Sequence, residues 1–226
     1  MAIRGVLLDV DGTLVESNGA HAEAWQEALA EHDHIVPYDR IRPLIGMGGD
    51  QLVATLVPSL RGNVQAIKEI AQAHERTFLA QYARYLQPQP GSRALVELLK
   101  QRGLELAIAT SSHQQVLQVL LDRADISGLI VDKTSASQVA EAKPSPDVVE
   151  TALGELRLPP SEAYLIGDTI YDVASGKRAG VGVIALLCGG TPREKLVQAG
   201  AIAIYASPED LLAHYDTSPL GSQGRH

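Results

Sequence analysis

The stretch Val6-Leu7-Leu8-Asp9-Val10-Asp11-Gly12-Thr13-Leu14 decides the fold of this chain. Its short apolar start predicts a buried strand, and the two carboxylates that follow stand one residue apart at the strand's C-terminal end. A glycine turn comes directly after them. A nucleophile, an acid and a metal ligand are thus brought together, a combination that is typical of phosphoryl transfer.

Further apolar runs predict more buried strands, and segments with helical spacing lie between them. Strand and helix alternate, which favours a doubly wound α/β fold with a Rossmann-like parallel sheet. A final strand and helix, at 201–205 and 208–214, fit the edge of that sheet. The other predicted strands are 104–110, 129–131, 163–167 and 181–187.

Residues 16–87 interrupt this alternation with patterns that are helical throughout, at 20–32, 51–56 and 64–86. The sequence Pro88-Gln89-Pro90-Gly91 closes the segment with a stiff, sharply turned connection. We therefore predict an all-α cap domain inserted in an α/β core. The predicted domain ranges are 1–15 with 88–215 for the core, 16–87 for the cap, and 216–226 for a flexible, polar tail.

The composition is that of an ordinary globular protein, with 226 residues, 45% apolar residues and 20% charged ones. A net charge of -8 argues against a nucleic-acid partner, which requires a basic face. No apolar stretch approaches the roughly 20 residues of a membrane span, so we expect no membrane partner. With one cysteine, Cys188, and no signal-peptide pattern, we expect a cytoplasmic monomer or homodimer.

Ligands of open parallel sheets bind beyond the C-terminal ends of the strands, and chemically active residues follow the predicted strands here. Four aspartates and one lysine carry a formal charge of -3. Two carboxylates about 5 Å apart repel by roughly 3 kcal/mol at an effective dielectric near 20, so a cation is needed. Hard oxygen ligands beside a phosphate favour Mg²⁺ as the cofactor. The residues are Asp9, Asp11, Thr110, Ser111, Lys143, Asp168 and Asp172.

This set resembles the four motifs of the haloacid dehalogenase (HAD) superfamily, in the same order along the chain. The resemblance covers residues 1–213 and is greatest to the cap-bearing phosphatases of the phosphoglycolate phosphatase-like and β-phosphoglucomutase-like branch. It implies a Mg²⁺-dependent phosphatase that hydrolyses small phosphate monoesters through an aspartyl-phosphate intermediate. The motifs are Asp9-Val10-Asp11-Gly12-Thr13, Thr110-Ser111, Lys143-Pro144, and Gly167-Asp168 with Asp172.

The resemblance and the chemistry assign the same catalytic roles. Asp9 is expected to attack phosphorus, and Asp11 to act as general acid and then general base. Neighbouring like charges are expected to keep the pKa of Asp11 high enough for it to hold a proton. Gly12 is expected to let the backbone turn tightly beside the phosphate, and that turn is expected to offer N–H groups to it.

The remaining motif residues are expected to bind the phosphoryl group and the metal. Thr110 and the Ser111 amide would hold the non-reacting oxygens, while Lys143 would offset their charge. Asp168 would bind Mg²⁺ together with the Asp9 carboxylate and the carbonyl of Asp11. Asp172, one helical turn on, would orient either a metal-bound water or Lys143.

The cap carries the loop Ile45-Gly46-Met47-Gly48-Gly49-Asp50, whose Gly46, Gly48 and Gly49 are expected to approach the substrate's leaving group. A simple turn between helices is the alternative. Arg42 and Lys68 are candidates for binding a second anionic group. For His21 and Trp25, packing at the hinge and contact with substrate both stay open.

Three competing functions remain to be weighed. A dehalogenase does not retain the second aspartate of the first motif, so Asp11 argues against it. A mutase normally begins its fourth motif with paired acidic residues, whereas Ile166-Gly167-Asp168 stands here, although His21 matches a mutase position. A signalling receiver domain has a similar acidic site but no counterpart of the 16–87 insertion. The sequence does not identify the leaving group.

Overall fold

In a computed structural model, the protein forms a six-stranded sheet with strand order β3-β2-β1-β4-β5-β6 and parallel pairing throughout. The structure describes residues 2–130, 132–134 and 141–221. The predicted α/β class with a Rossmann-like sheet is confirmed. In this order, β1 lies at the centre, beside the point where the direction of winding reverses.

The central strands form where the sequence has buried apolar runs. Val6 and Leu8 of β1 pack on one face of the sheet and Leu7 on the other, because neighbouring side chains of a strand point to opposite faces. Both faces are covered, which explains the continuous apolar sequence of these strands. The strands are β1 (Gly5–Leu8), β2 (Glu105–Ala109), β3 (Asp132–Thr134), β4 (Ala163–Gly167), β5 (Gly182–Leu186) and β6 (Ala203–Tyr205).

The prediction of a strand at 129–131 is wrong, because β3 lies at Asp132–Thr134. Leu129 belongs to a turn, and Ile130 is buried in the core without pairing; Val131 lies outside the described residues. The strand occupies an edge of the sheet, where it pairs only with β2. A sequence of Asp, Lys and Thr lacks the apolar run that marks a central strand, so the pattern pointed to the adjacent hydrophobic residues instead.

Helices cover the two faces of the sheet as two layers. One layer packs on the cluster that contains Val6, Leu8 and Ile108, and the other on the cluster that contains Leu7 and Leu165. The first layer consists of α5 (Ser92–Gln101), α6 (Gln114–Arg123) and α10 (Pro208–Ala213). The second consists of α7 (Asp147–Leu156), α8 (Ile170–Arg178) and α9 (Arg193–Ala199).

Between β1 and α5, the chain forms a helical segment with a hydrophobic cluster of its own, drawn from Ala22 through Ala73. The two connections to the sheet run side by side: Glu16 N donates to Gln87 O at 2.9 Å, and Gln89 N donates to Leu14 O at 2.9 Å. The segment contains α1 (Asn18–Glu31), α2 (Tyr38–Ile41), α3 (Gly49–Leu56) and α4 (Val64–Thr77), followed by irregular helical turns to Tyr85.

The expected flexible tail differs from the structure over residues 216–221. Ser218 and Leu220 are buried, and Leu220 packs in the same cluster as Tyr215. Packing of Leu220, the Ser218 hydroxyl that donates to Tyr215 O, and an ion pair between Asp216 and Arg102 attach this short segment to the core. Residues 222–226 lie outside the described residues. Within the described part of the chain, every helix is too short or too polar to cross a membrane.

Candidate active site

The C-terminal ends of the central strands meet at one edge of the sheet, and the predicted motif residues lie there. Asp9 follows β1, and Thr110 and Ser111 follow β2. Asp168 follows β4, whereas Lys143 comes from the loop before α7. All of these side chains except Ser111 are buried, which is unusual for charged residues and requires that they be paired.

Lys143 joins two of the aspartates. Its Nζ donates to Asp9 Oδ1 and to Asp172 Oδ1, each at 2.6 Å, and its side chain is 1% exposed. Burial alone would lower the pKa of Lys143, but Asp172 and Asp9 raise it above its usual value. Asp172 is itself fixed by a capping box with Thr169 at the start of α8. Asp172 therefore contacts Lys143, one of the two groups that it was expected to orient, and its role stays a prediction.

Three carboxylates, of Asp9, Asp168 and Asp172, offer ligand atoms within 4.8 Å of one another. Burial is the main cause that raises the pKa of Asp9, and neighbouring aspartates add to it while Lys143 opposes it. Burial, with Asp172, raises the pKa of Asp168 to about 7. If all are ionised, the three carboxylates and the Lys143 ammonium have a net charge of -2. The cluster is therefore suited to a cation.

The donors of this cluster fit Mg²⁺, which prefers hard oxygen ligands. Thr13 Oγ1 lies 3.1 Å from Asp9 Oδ2 and 2.8 Å from Asp168 Oδ1, and so holds both carboxylates toward each other. Asn18 Oδ1, on the amide that also contacts Asp168, is buried without a hydrogen-bond partner among the described residues. An unsatisfied oxygen beside clustered carboxylates is consistent with a site built for a hydrated cation.

The Asp11 carboxylate is separate from this cluster. Ser17 Oγ donates to its Oδ1 at 2.6 Å, His21 Nε2 lies 2.7 Å from the same oxygen, and Ser112 Oγ donates to its Oδ2 at 2.5 Å. Burial would raise the pKa of Asp11, but His21 and the hydrogen bonds lower it to about 2. The expected raised pKa is therefore wrong for this state, because polar partners surround Asp11 where like charges had been expected.

His21 connects Asp11 to a second buried histidine, His74 of α4. His21 Nδ1 and His74 Nε2 are 3.1 Å apart. The His21 ring stacks on Phe78 with centroids 3.9 Å apart, and the His74 ring stacks on Trp25 at 4.0 Å. Burial, followed by the proximity of His21, lowers the pKa of His74. Sequence reasoning had left His21 and Trp25 open between packing and substrate contact, and it had missed His74 altogether.

Gly12 has a conformational role. Its φ is +74°, and its N–H donates to Val15 O at 2.8 Å, so that N–H is already used within the turn. A Cβ at this position would lie 2.0 Å from Asn18 Nδ2 and 2.5 Å from Asp168 Oδ2. Only glycine fits there. That the turn offers N–H groups to a phosphate stays a prediction.

A cavity of about 670 Å³ lies over Asp9 and Asp11, between the sheet edge and the helical segment. Gly46, Gly48 and Gly49 line it, and so do Thr110 and Ser111. That the glycines approach a leaving group stays a prediction. Gly48 N donates to Lys143 O at 2.9 Å, which attaches the loop to the core beside the buried lysine. The size falls in the usual range for small-molecule sites.

The two cationic candidates of the helical segment have different positions. Lys68 lines the cavity. Arg42 does not line it, because its Nη2 donates to Gly189 O at 2.5 Å. Arg42 therefore contacts the loop after β5 rather than the space over Asp9, and no longer qualifies as a contact for a second anionic group in this state.

Comparisons with known proteins agree with this arrangement. A haloacid dehalogenase-like hydrolase family model matches residues 3–180. A phosphoglycolate phosphatase from Rhodospirillum rubrum is 31% identical over 210 residues, 89% of this chain and 86% of the relative. A hydrolase structure from Pseudomonas syringae matches with a TM-score of 0.88 at 28% identity, covering 95% of this chain and 98% of that one. A candidate β-phosphoglucomutase from Bacteroides vulgatus matches with a TM-score of 0.88 at 25% identity, covering 100% and 91%.

Proposed function

The chain belongs to the haloacid dehalogenase-like hydrolase family, and from that premise we propose that it is a Mg²⁺-dependent phosphatase of small phosphate monoesters. The observation that carries the proposal is the Asp9 carboxylate, which lines the cavity while Lys143 and Thr13 fix its two oxygens. The phosphoglycolate phosphatase among the relatives supports the same class of reaction.

Asp9 acts as the nucleophile. One of its oxygens attacks phosphorus, the bond from phosphorus to the ester oxygen breaks, and Asp9 becomes an aspartyl phosphate. Water then attacks that phosphorus, the bond to Asp9 breaks, and inorganic phosphate leaves. Lys143 favours the ionised form of Asp9 that attacks phosphorus, and so opposes burial and the neighbouring aspartates, which raise the pKa of Asp9.

Asp11 serves as the acid and base. It donates a proton to the ester oxygen as that bond breaks, and later accepts one from the attacking water. Its low pKa leaves Asp11 ionised in the present state, the form that can accept the proton of the water. For the first role, His21 at 2.7 Å from Oδ1 is the neighbour that can share a proton with it.

The remaining groups stabilise charge. Thr110 and the Ser111 amide hold the non-reacting phosphate oxygens from the side of β2, while Lys143 lies between Asp9 and Asp172. Asp9, Asp168 and the carbonyl of Asp11 would hold Mg²⁺. When bound, the ion supplies positive charge that offsets the charge of the carboxylates and of the transferring group.

We further propose that residues 16–87 form a cap domain that moves relative to the core. The separate hydrophobic cluster of the segment and its two paired connections near Glu16 and Gln87 support this division. The leaving group occupies the cavity below Gly46 to Asp50. Closure then excludes water from the first chemical step, as lids commonly do.

A mutase is the alternative, favoured by His21 and by the neighbour from Bacteroides vulgatus. The packing at Gly167 favours the phosphatase. A Cβ at Gly167 would lie 2.4 Å from Asp172 Cγ, so an acidic side chain there would displace the partner of Lys143. A receiver domain is unsupported, because the helical segment and the family match both point to a hydrolase.

The test is a panel of phosphate monoesters, including phosphoglycolate and hexose phosphates, assayed for phosphate release with Mg²⁺ and after chelation. We expect release with catalytic turnover, and a loss of about 100-fold or more on chelation that Mg²⁺ reverses. Full activity after chelation would contradict the metal assignment. Conversion of a hexose 1-phosphate to the 6-phosphate without release would favour the mutase, and one phosphorylation per molecule without turnover would favour a switch.

A further inference from the structure

Asn18, the first residue of α1, reaches from the helical segment to the acidic cluster. Its Nδ2 donates to Asp168 Oδ2 at 2.9 Å and to Gly189 O at 3.1 Å, and the residue is 3% exposed. Gly189 O can only accept a hydrogen bond, and so can the Asp168 carboxylate when it is ionised. The nitrogen of the amide must therefore face them, which fixes the orientation of the side chain.

The oxygen of the same amide has no partner. Asn18 Oδ1 is the one buried side-chain polar atom without a hydrogen bond among residues 2–130 and 141–221. Buried acceptors are nearly always satisfied, and an exception needs an explanation, of which an ordered water or a bound ion is one. Its amide partner Nδ2 lies beside Asp168, so the unsatisfied oxygen belongs to the surroundings of the acidic cluster.

Two glycines leave the space in which this contact forms. A Cβ at Gly12 would lie 2.0 Å from Asn18 Nδ2, and a Cβ at Gly189 would lie 1.7 Å from Asp168 Oδ2. Any side chain at either position would separate the amide from the carboxylate. Glycine at both positions therefore leaves the room that the Asn18–Asp168 contact needs.

We propose that Asn18 is a positioning residue of the Mg²⁺ site: its Nδ2 orients Asp168, and its Oδ1 accepts a hydrogen bond from a water of the bound ion. The proposal rests on the metal site of the proposed function. Mg²⁺ usually retains several waters in proteins, and these waters are donors that an otherwise unpaired amide oxygen can accept. Thr13 orients the other oxygen of Asp168 from the core side. Asn18 orients the Oδ2 of Asp168 from the first turn of α1.

The test is the Mg²⁺ affinity of the full-length protein, measured by calorimetry without substrate. Asn18→Ala is expected to weaken binding by about 10- to 100-fold, the usual effect of removing an outer partner of a metal ligand. The matched control is Arg42→Met, which removes the other side-chain donor to Gly189 O without touching Asp168. It is expected to change the affinity by less than about twofold.

The melting temperature of the metal-free proteins separates positioning from folding. If Asn18→Ala does not fold, Asn18→Ser, which retains a smaller polar group, is expected to fold and to bind Mg²⁺ more weakly. A folded Asn18 variant with wild-type affinity overturns the proposal while the metal site stands. A wild-type protein that binds no Mg²⁺ overturns both this proposal and the metal assignment of the proposed function.

Discussion

Asp9 and Asp11 are two residues apart in the chain, yet their carboxylates occupy opposite electrostatic environments. Asp9 lies among Asp168 and Asp172, and burial with these neighbours raises its pKa despite Lys143. Asp11 lies among two hydroxyls and an imidazole, which outweigh burial and lower its pKa to about 2. The spacing of two aspartates along a strand is the same in every protein that has this pattern, so spacing does not set their pKa values. The groups that face each carboxylate set them.

The two environments also belong to different parts of the structure. The partners of Asp9 come from the core, on the loop before α7 and at the end of β4. Two of the partners of Asp11, Ser17 and His21, belong to the segment that begins the helical insertion. A change in the position of that segment would therefore alter Asp11 before it altered Asp9.

Asp9→Asn removes the first of the two compared carboxylates and should have the largest effect on turnover. An amide is a poor nucleophile, so we expect turnover to fall by about 10⁴-fold or more. Steady-state phosphate release checks this, with circular dichroism as a control for folding. A variant that retains more than about a hundredth of the wild-type rate would contradict covalent catalysis through Asp9.

Asp11→Asn removes the second of the two carboxylates. It should lower turnover less, by an amount that depends on the substrate. General acid catalysis contributes about 10²- to 10⁴-fold, and we expect a loss of about 10²- to 10³-fold for alkyl phosphates. p-Nitrophenyl phosphate has a better leaving group and should lose much less. Equal losses on both substrates would remove Asp11 from the acid role.

Much of the fold followed from the sequence because buried strands are continuous apolar runs. The prediction for 163–167 matches β4, and those for 104–110 and 181–187 contain β2 and β5. The edge strand Asp132–Thr134 was missed because it lacks such a run. Leu220 was assigned to a flexible tail because one apolar residue among polar ones gives no periodic signal.

The candidate site followed from the sequence only in part. Parallel strands end at one edge, so the strand-end aspartates and Lys143 had to approach one another. The histidine pair beside Asp11 could not be predicted, because His74 of α4 is brought to His21 of α1 by the packing of helices that are distant in sequence. A single histidine on an amphipathic helix gives no sign that it contacts another buried histidine.

His74→Phe sharpens the comparison, because it alters the surroundings of Asp11 through His21 and leaves Asp9 untouched. Phenylalanine can preserve the stacking on Trp25 but removes the nitrogen 3.1 Å from His21 Nδ1. A lost hydrogen bond of about 0.5 to 1.5 kcal/mol corresponds to a loss in kcat of about two- to thirteenfold. We expect KM to change less.

His74→Gln provides the control for this substitution, since its amide can donate to His21 and should restore most of kcat. The split between kcat and KM on an alkyl phosphate measures the effect. If the phenylalanine and glutamine variants are equally active, the contact between the histidines has no bearing on Asp11.

Gly48→Ala should give the smallest effect, because it alters the position of the cap loop over the cavity rather than either carboxylate. The added Cβ would lie 2.7 Å from Ala142 Cβ, so the loop or the segment around Ala142 must shift. We expect KM to rise by about two- to threefold for esters whose leaving group fills the cavity, with acetyl phosphate nearly unaffected because its leaving group is small. Gly154→Ala, with no atom within 4 Å of the added Cβ, is the matched control and should leave both substrates unchanged. Equal losses of rate on large and small substrates would mean that the loop supports the Lys143 backbone, which accepts the Gly48 N–H, and that selectivity among esters is decided elsewhere in the helical segment.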